Sequence, residues 1–101
     1  MDLATEVKTR ILADDTVIPL NDFAQLYVGN ILRATVASLG HSGEKIYLKV
    51  ENQRLDLYAD GASVPIKDRF KRDLVESTVK GALSSLKGIV WFDKVIIISS
   101  G

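Results

Sequence analysis

The 101-residue chain has no cysteine, a single histidine, two prolines and no excess of either charge. Without cysteine there is no disulfide, no thiolate zinc or iron–sulfur site and no cysteine nucleophile, which suits a reducing compartment. Thirteen basic residues balance thirteen acidic ones, so nothing global draws the chain to nucleic acid or to an anionic membrane. Such binding would need a local patch. Long apolar runs are missing as well. The most apolar stretch, 23–39, contains Gln25, Asn30 and Arg33 and is too short to span a bilayer. The opening MDLATEVKTR lacks the apolar centre of a secretion signal. Together these absences predict a cytoplasmic protein with no membrane partner.

The signatures of catalysis are also missing. There is no Gly-x-Gly-x-x-Gly, phosphate-loop lysine, nucleophile elbow or His-Glu-x-x-His. Asp14 and Asp15 are adjacent, without the alternating ligand spacing of a calcium loop. His41 lies in GHSG, which reads as a helix stop and turn. No catalytic, cofactor-binding or metal-ligating residue is predicted, and the chain is expected not to be an enzyme.

What remains is 47% hydrophobic and 26% charged, the composition of one globular domain over 1–101. Leu3, Val7 and Ile11 recur every four residues and predict a first helix over 2–13, stopped by the two aspartates. A second helix is expected from Asp22, with Gln25 completing a capping box and Gly40 as its stop. Its apolar residues fill half the circumference, with Leu26 and Val36 in the nominally polar sector. A third helix is predicted over 68–87.

The clearest local pattern is KIYLKVENQRLDLYAD, which alternates on both sides of Asn52-Gln53 and predicts a β-hairpin. Its register pairs Ile46 with Ala59, Leu48 with Leu57 and Val50 with Leu55 on one face. On the other it pairs Lys45 with Asp60, Tyr47 with Tyr58, Lys49 with Asp56 and Glu51 with Arg54. The chain closes on KVIIISSG, a final strand. The expected architecture is therefore α+β, in the order ααββαβ. It is a two-layer sandwich with helices on one face of a three-stranded, mainly antiparallel sheet in strand order 2-1-3.

In that arrangement the last strand is an edge with branched apolar groups on both faces, which one small chain is poorly able to cover. Val95, Ile96, Ile97 and Ile98, with Leu26 and Val36, are the predicted self-association interface. The predicted partner is a second copy or another protein, and the predicted role is that of a non-catalytic interaction module. The alternative is a nucleic-acid-binding domain. Tyr47 and Tyr58 would be its stacking platform and Lys67, Arg69, Lys71 and Arg72 its phosphate contacts. Against it, acids interrupt the basic run at the four-residue spacing of helix ion pairs.

A likeness also links 17–50 with 63–98. VIPLNDF precedes one helix and SVPIKDRF another, and each helix ends at a glycine followed by a strand that begins with lysine. Shared turn and cap chemistry accounts for part of this resemblance.

Overall fold

In a computed structural model describing residues 8–52, 54–86 and 93–100, Lys8–Ala13 form a strand, β1, rather than the end of a helix. The reason lies in the spacing. An interval of four is even, so a stripe at every fourth residue satisfies the strand period as well as the helix period. Thr9, Ile11 and Ala13 face inward, while Lys8 and Arg10 face solvent. Asp14 and Asp15, at φ 49° and 68°, turn the chain into β2, Thr16–Ile18. Both angles lie in the left-handed region, which aspartate tolerates better than most residues. Residues 2–7 of the expected first helix lie outside the described residues.

The helix α1, Asp22–Ser38, is capped one residue earlier than predicted. The Asn21 side chain accepts from the Ala24 backbone N–H at 2.8 Å. Strands β3, Ile46–Glu51, and β4, Arg54–Ala59, form the hairpin in the expected register, from Ile46 opposite Ala59 to Glu51 opposite Arg54. The charges on it pair along the strands: Lys49 meets Glu51 at 3.5 Å and Arg54 meets Asp56 at 3.7 Å. Next come the short β5, Ala62–Ser63, and α2, Arg69–Ser84, capped by Asp68. Then β6, Lys94–Ser100, closes the described chain.

The fold is α+β, with one wholly antiparallel sheet and two helices among the described residues. The sheet has six strands rather than three, in the order β2-β1-β6-β3-β4-β5. Its middle, β4-β3-β6, is the predicted 2-1-3 arrangement. The terminal strand is not an edge, because β1 pairs along its free side from Lys8–Ser100 to Ala13–Val95. Edge pairing of β6 with a second chain is thus closed off: the segment read as a helix is the missing neighbour.

Both helices lie on one face. Val28, Leu32 and Val36 of α1 and Val75, Val79 and Leu83 of α2 share a core with Ile11, Ile46, Leu48, Leu57, Val95 and Ile97. Full burial of side chains of this kind stabilises by roughly 1.5–3 kcal/mol each. Helix α1 approaches the sheet most closely at Gly29. A Cβ there would lie 2.7 Å from Ser99 Oγ, 2.9 Å from Arg33 Nη1 and 3.0 Å from Thr9 Oγ1. Beneath it runs a directed hydrogen-bond chain. Arg33 only donates and a carbonyl only accepts, so Arg33 donates to Ser99 (3.3 Å), Ser99 to Thr9 (3.0 Å) and Thr9 to the Gln25 carbonyl (2.7 Å).

The likeness seen in sequence is repeated in space. The described elements form two ββαβ units, β1-β2-α1-β3 and β4-β5-α2-β6. Exchanging them turns the strand order into its own reverse, which is the mark of a two-fold axis. That axis passes by the Leu48–Ile97 pair at the sheet centre. The turns repeat atom by atom. Asp14 N–H donates to the Lys94 carbonyl as Asp60 N–H donates to the Lys45 carbonyl. Asp14 Oδ1 accepts from the N–H groups of Asp93 and Lys94, both at 2.9 Å. Asp60 Oδ1 accepts from those of Glu44 and Lys45, at 3.1 and 2.9 Å.

Candidate functional site

The same exchange relates the helices. Aligned on their caps, Asn21 and Asp68, the buried residues Val28, Leu32 and Val36 correspond to Val75, Val79 and Leu83. Large exposed residues correspond too. Phe23 (72% exposed) matches Phe70 (71%), and Tyr27 (54%) matches Leu74 (56%). At about 100° per residue, Phe23 and Tyr27 project roughly 140° or more from the middle of the buried stripe. They stack on each other, ring centroids 5.7 Å apart.

Between the helices runs an open groove with two chambers. One, of about 500 Å³, lies between Phe23, Ala24 and Tyr27 of α1 and Gly81 and Ala82 of α2 with its C-cap Ser85. The other, of about 340 Å³, lies between Lys71, Leu74 and Val75 of α2 and Ala34, Thr35 and Ser38 of α1. Ile31 and Thr78 line both, at the waist. Carried through the helix alignment, every described residue of the smaller chamber falls on one of the larger, so the two are counterparts about the same axis. Lys71 is the one charged side chain among their described lining residues. Small side chains keep the groove open, with Gly81, Ala82 and Ser85 on one wall and Ala34 and Ser38 on the other.

The residues predicted for self-association are divided by this fold. Val36 (1% exposed), Val95 (0%) and Ile97 (2%) belong to the core and have no free surface to offer. Leu26 is half-buried and lines neither chamber. Ile96 and Ile98 lie on the helix-free face, half-buried beside Leu12, Arg10, Lys49 and Tyr47. With Val17 opposite Leu12, they make a modest apolar patch confined to the first unit's side of the sheet. Their counterparts on the other side include Tyr47, Lys49 and Tyr58.

The residues predicted for nucleic acid are divided as well. Tyr47 and Tyr58 meet edge to face on the helix-free side, centroids 5.9 Å apart. Lys67, Arg69, Lys71 and Arg72 stand at the start of α2, in the helix layer. There Arg69 pairs with Asp73 at 3.9 Å and Lys80 with Glu76 at 3.6 Å. No single face holds both sets. On the helix-free side, the Lys94 ammonium is held above the ordinary lysine range by its hydrogen bond to Asp15, 2.9 Å away, and by that carboxylate's charge.

Sequence reasoning missed the groove because it counted Phe23 and Tyr27 with the other apolar residues that fill half of their helix's circumference. Aligning the two helices by cap repeats both apolar sets alike, 23/27 with 70/74 and 28/32/36 with 75/79/83, so only the exposure of the first set in the fold separates them. Among the described residues no cluster of acidic or histidine side chains could hold a metal ion. No described helix is long and apolar enough to cross a membrane. Comparison with protein-family models, with curated proteins and with solved structures finds no match to this chain.

Proposed function

We propose that the chain is a non-catalytic protein-association module that acts through its helix layer. One observation carries this reading: a two-chambered apolar groove lined by Phe23, Tyr27 and Leu74, each more than half exposed, with Phe70 equally exposed at the position that corresponds to Phe23. Large side chains left this exposed by a monomer mark interaction surfaces when they cluster. The helix-free face is the weaker candidate. Three of its apolar members, Leu12, Ile96 and Ile98, are half-buried by their cross-strand neighbours, and Val17 alone of the patch is widely exposed. The nucleic-acid alternative loses ground because its aromatic and basic parts lie on opposite layers. It keeps a simple test, since retention on heparin that weakens with salt would revive it.

The association reading is tested on the isolated chain. Replacing Phe23 and Phe70 together by serine removes two groups that make little use of the chain's own core. At a protein concentration low enough to keep both chains monomeric, unfolding in denaturant should give a stability within about 0.5 kcal/mol of wild type, as for exposed sites generally. A loss of several kcal/mol would place both rings inside the chain's own packing, and the reading would fail.

A further inference from the structure

We infer that the partner of the helix layer is a second copy of the same chain, docked helix layer to helix layer about a two-fold axis. This rests on the association reading above and adds the identity of the occupant. A groove with two equivalent chambers is filled best by a partner that presents one anchor twice, with the same two-fold relation. The chain's own helix layer does this, because Phe23 and Phe70 stand at equivalent places on either side of the axis. A two-fold homodimer also requires the same patch on both copies. Here the patch carries both halves of the match, projecting rings and the chambers to receive them.

Charge and size agree with this occupant. Lys71 is the one charge among the described groove-lining residues, so the centre of the contact is nearly uncharged, while the basic residues at the start of α2 are partly offset by Asp73 and Glu76 beside them. The chain measures 38 × 31 × 19 Å, and the thin dimension is that of one helix layer on one sheet. Its broad face is large enough to bury the ~800 Å² per partner typical of a stable interface. The four helices of the pair would form a central bundle, with both sheets outside and both helix-free faces in solvent.

The test uses the full chain in sedimentation equilibrium over roughly 1–100 µM, the range in which a modest interface dissociates. Wild type should fit a monomer–dimer equilibrium. Phe23→Asp and Phe70→Asp should each weaken it at least ten-fold and by similar factors, while Ile96→Lys on the far face should leave it unchanged. If an aspartate variant unfolds, hydroxyl-radical labelling of wild type replaces it. Phe23 and Phe70 should then lose labelling on concentration while Val17 and Tyr58 do not. A monomer throughout this range overturns the inference. So does a dimer broken by Ile96→Lys and indifferent to the phenylalanines, or one whose labelling loss falls on Val17 and Tyr58. The serine experiment above stands apart from these results: unchanged stability there, with a monomer here, would reject the second copy and retain the association surface.

Discussion

The two ββαβ units share topology, register and turn chemistry, yet they seat their helices differently. In the first, α1 rests on hydroxyls: Thr9 and Ser99 lie beneath Gly29, and Arg33 closes the hydrogen-bond chain. In the second, the corresponding positions are Leu55, Val50 and Glu76, with Lys80 in place of Arg33. Hydrocarbon has replaced the hydroxyls. Glu76, its side chain 17% exposed, turns to Lys80 at 3.6 Å instead of crossing to the sheet. One backbone plan thus tolerates a polar or an apolar contact between helix and sheet, provided the polar one is fully paired. The polar contact adds a demand the apolar one lacks. Its short bonds draw the helix close, and only a residue without Cβ fits at the point of approach.

The largest expected effect comes from closing that approach. Gly29→Ala should lower stability by about 1–2 kcal/mol. Overpacking costs ~1–3 kcal/mol, while the better helix propensity of alanine returns up to ~1 kcal/mol. Of the three atoms a Cβ would meet, Arg33 Nη1 ends a flexible chain, but Ser99 Oγ and Thr9 Oγ1 hang from paired strands and have little room to move. Denaturant unfolding measures the difference. A variant as stable as wild type would mean that α1 does not depend on this contact, and the contrast between the units would lose its physical content.

The next effect probes what the units have in common. Asp14→Ala and Asp60→Ala each remove a carboxylate oxygen that accepts two backbone N–H groups. Each also places alanine at φ 49°, a conformation that favours aspartate or asparagine over alanine. Each should cost about 1–2 kcal/mol, as with loss of a helix cap. The two values should agree within ~0.5 kcal/mol, the margin within which surface effects scatter. A large cost at one turn and none at the other would show that the geometric repeat is not an energetic one.

How much of this was legible in sequence depended on whether neighbouring residues constrained one another. The 46–59 register could be read because apolar, aromatic and charged pairs all agreed on it, and a slip by one would have spoiled every pair at once. At 8–13 only Ile11 marked the buried face clearly. Thr9 and Ala13, its companions there, are residues that either a helix or a strand accepts, so the even spacing decided nothing. With β1 unseen, β6 became an edge in the expected fold, and Val95 and Ile97 looked surplus to the core. The groove was hidden for a different reason. Phe23, Tyr27, Phe70 and Leu74 are apolar, and apolarity alone does not distinguish a core residue from one awaiting a partner. Val28, Leu32 and Val36 repeat against Val75, Val79 and Leu83 in the same way, so only exposure in the folded chain sets the four apart.

The smallest effect is the sharpest test of the contrast, because it makes the same substitution in the other helix. A Cβ on Gly81 would meet nothing within 4 Å, and α1 already carries alanine, Ala34, at the corresponding position. Gly81→Ala should therefore raise stability by ~0.5–1 kcal/mol through helix propensity alone. The added methyl enters the floor of the larger chamber, so the measurement belongs in the Phe23→Ser/Phe70→Ser background, where no association can add to it. Opposite signs for Gly29→Ala and Gly81→Ala would locate the difference between the units in the distance from helix to sheet. Equal losses at both would instead say that α2 has a close contact of its own, and that the units are more alike than their side chains suggest.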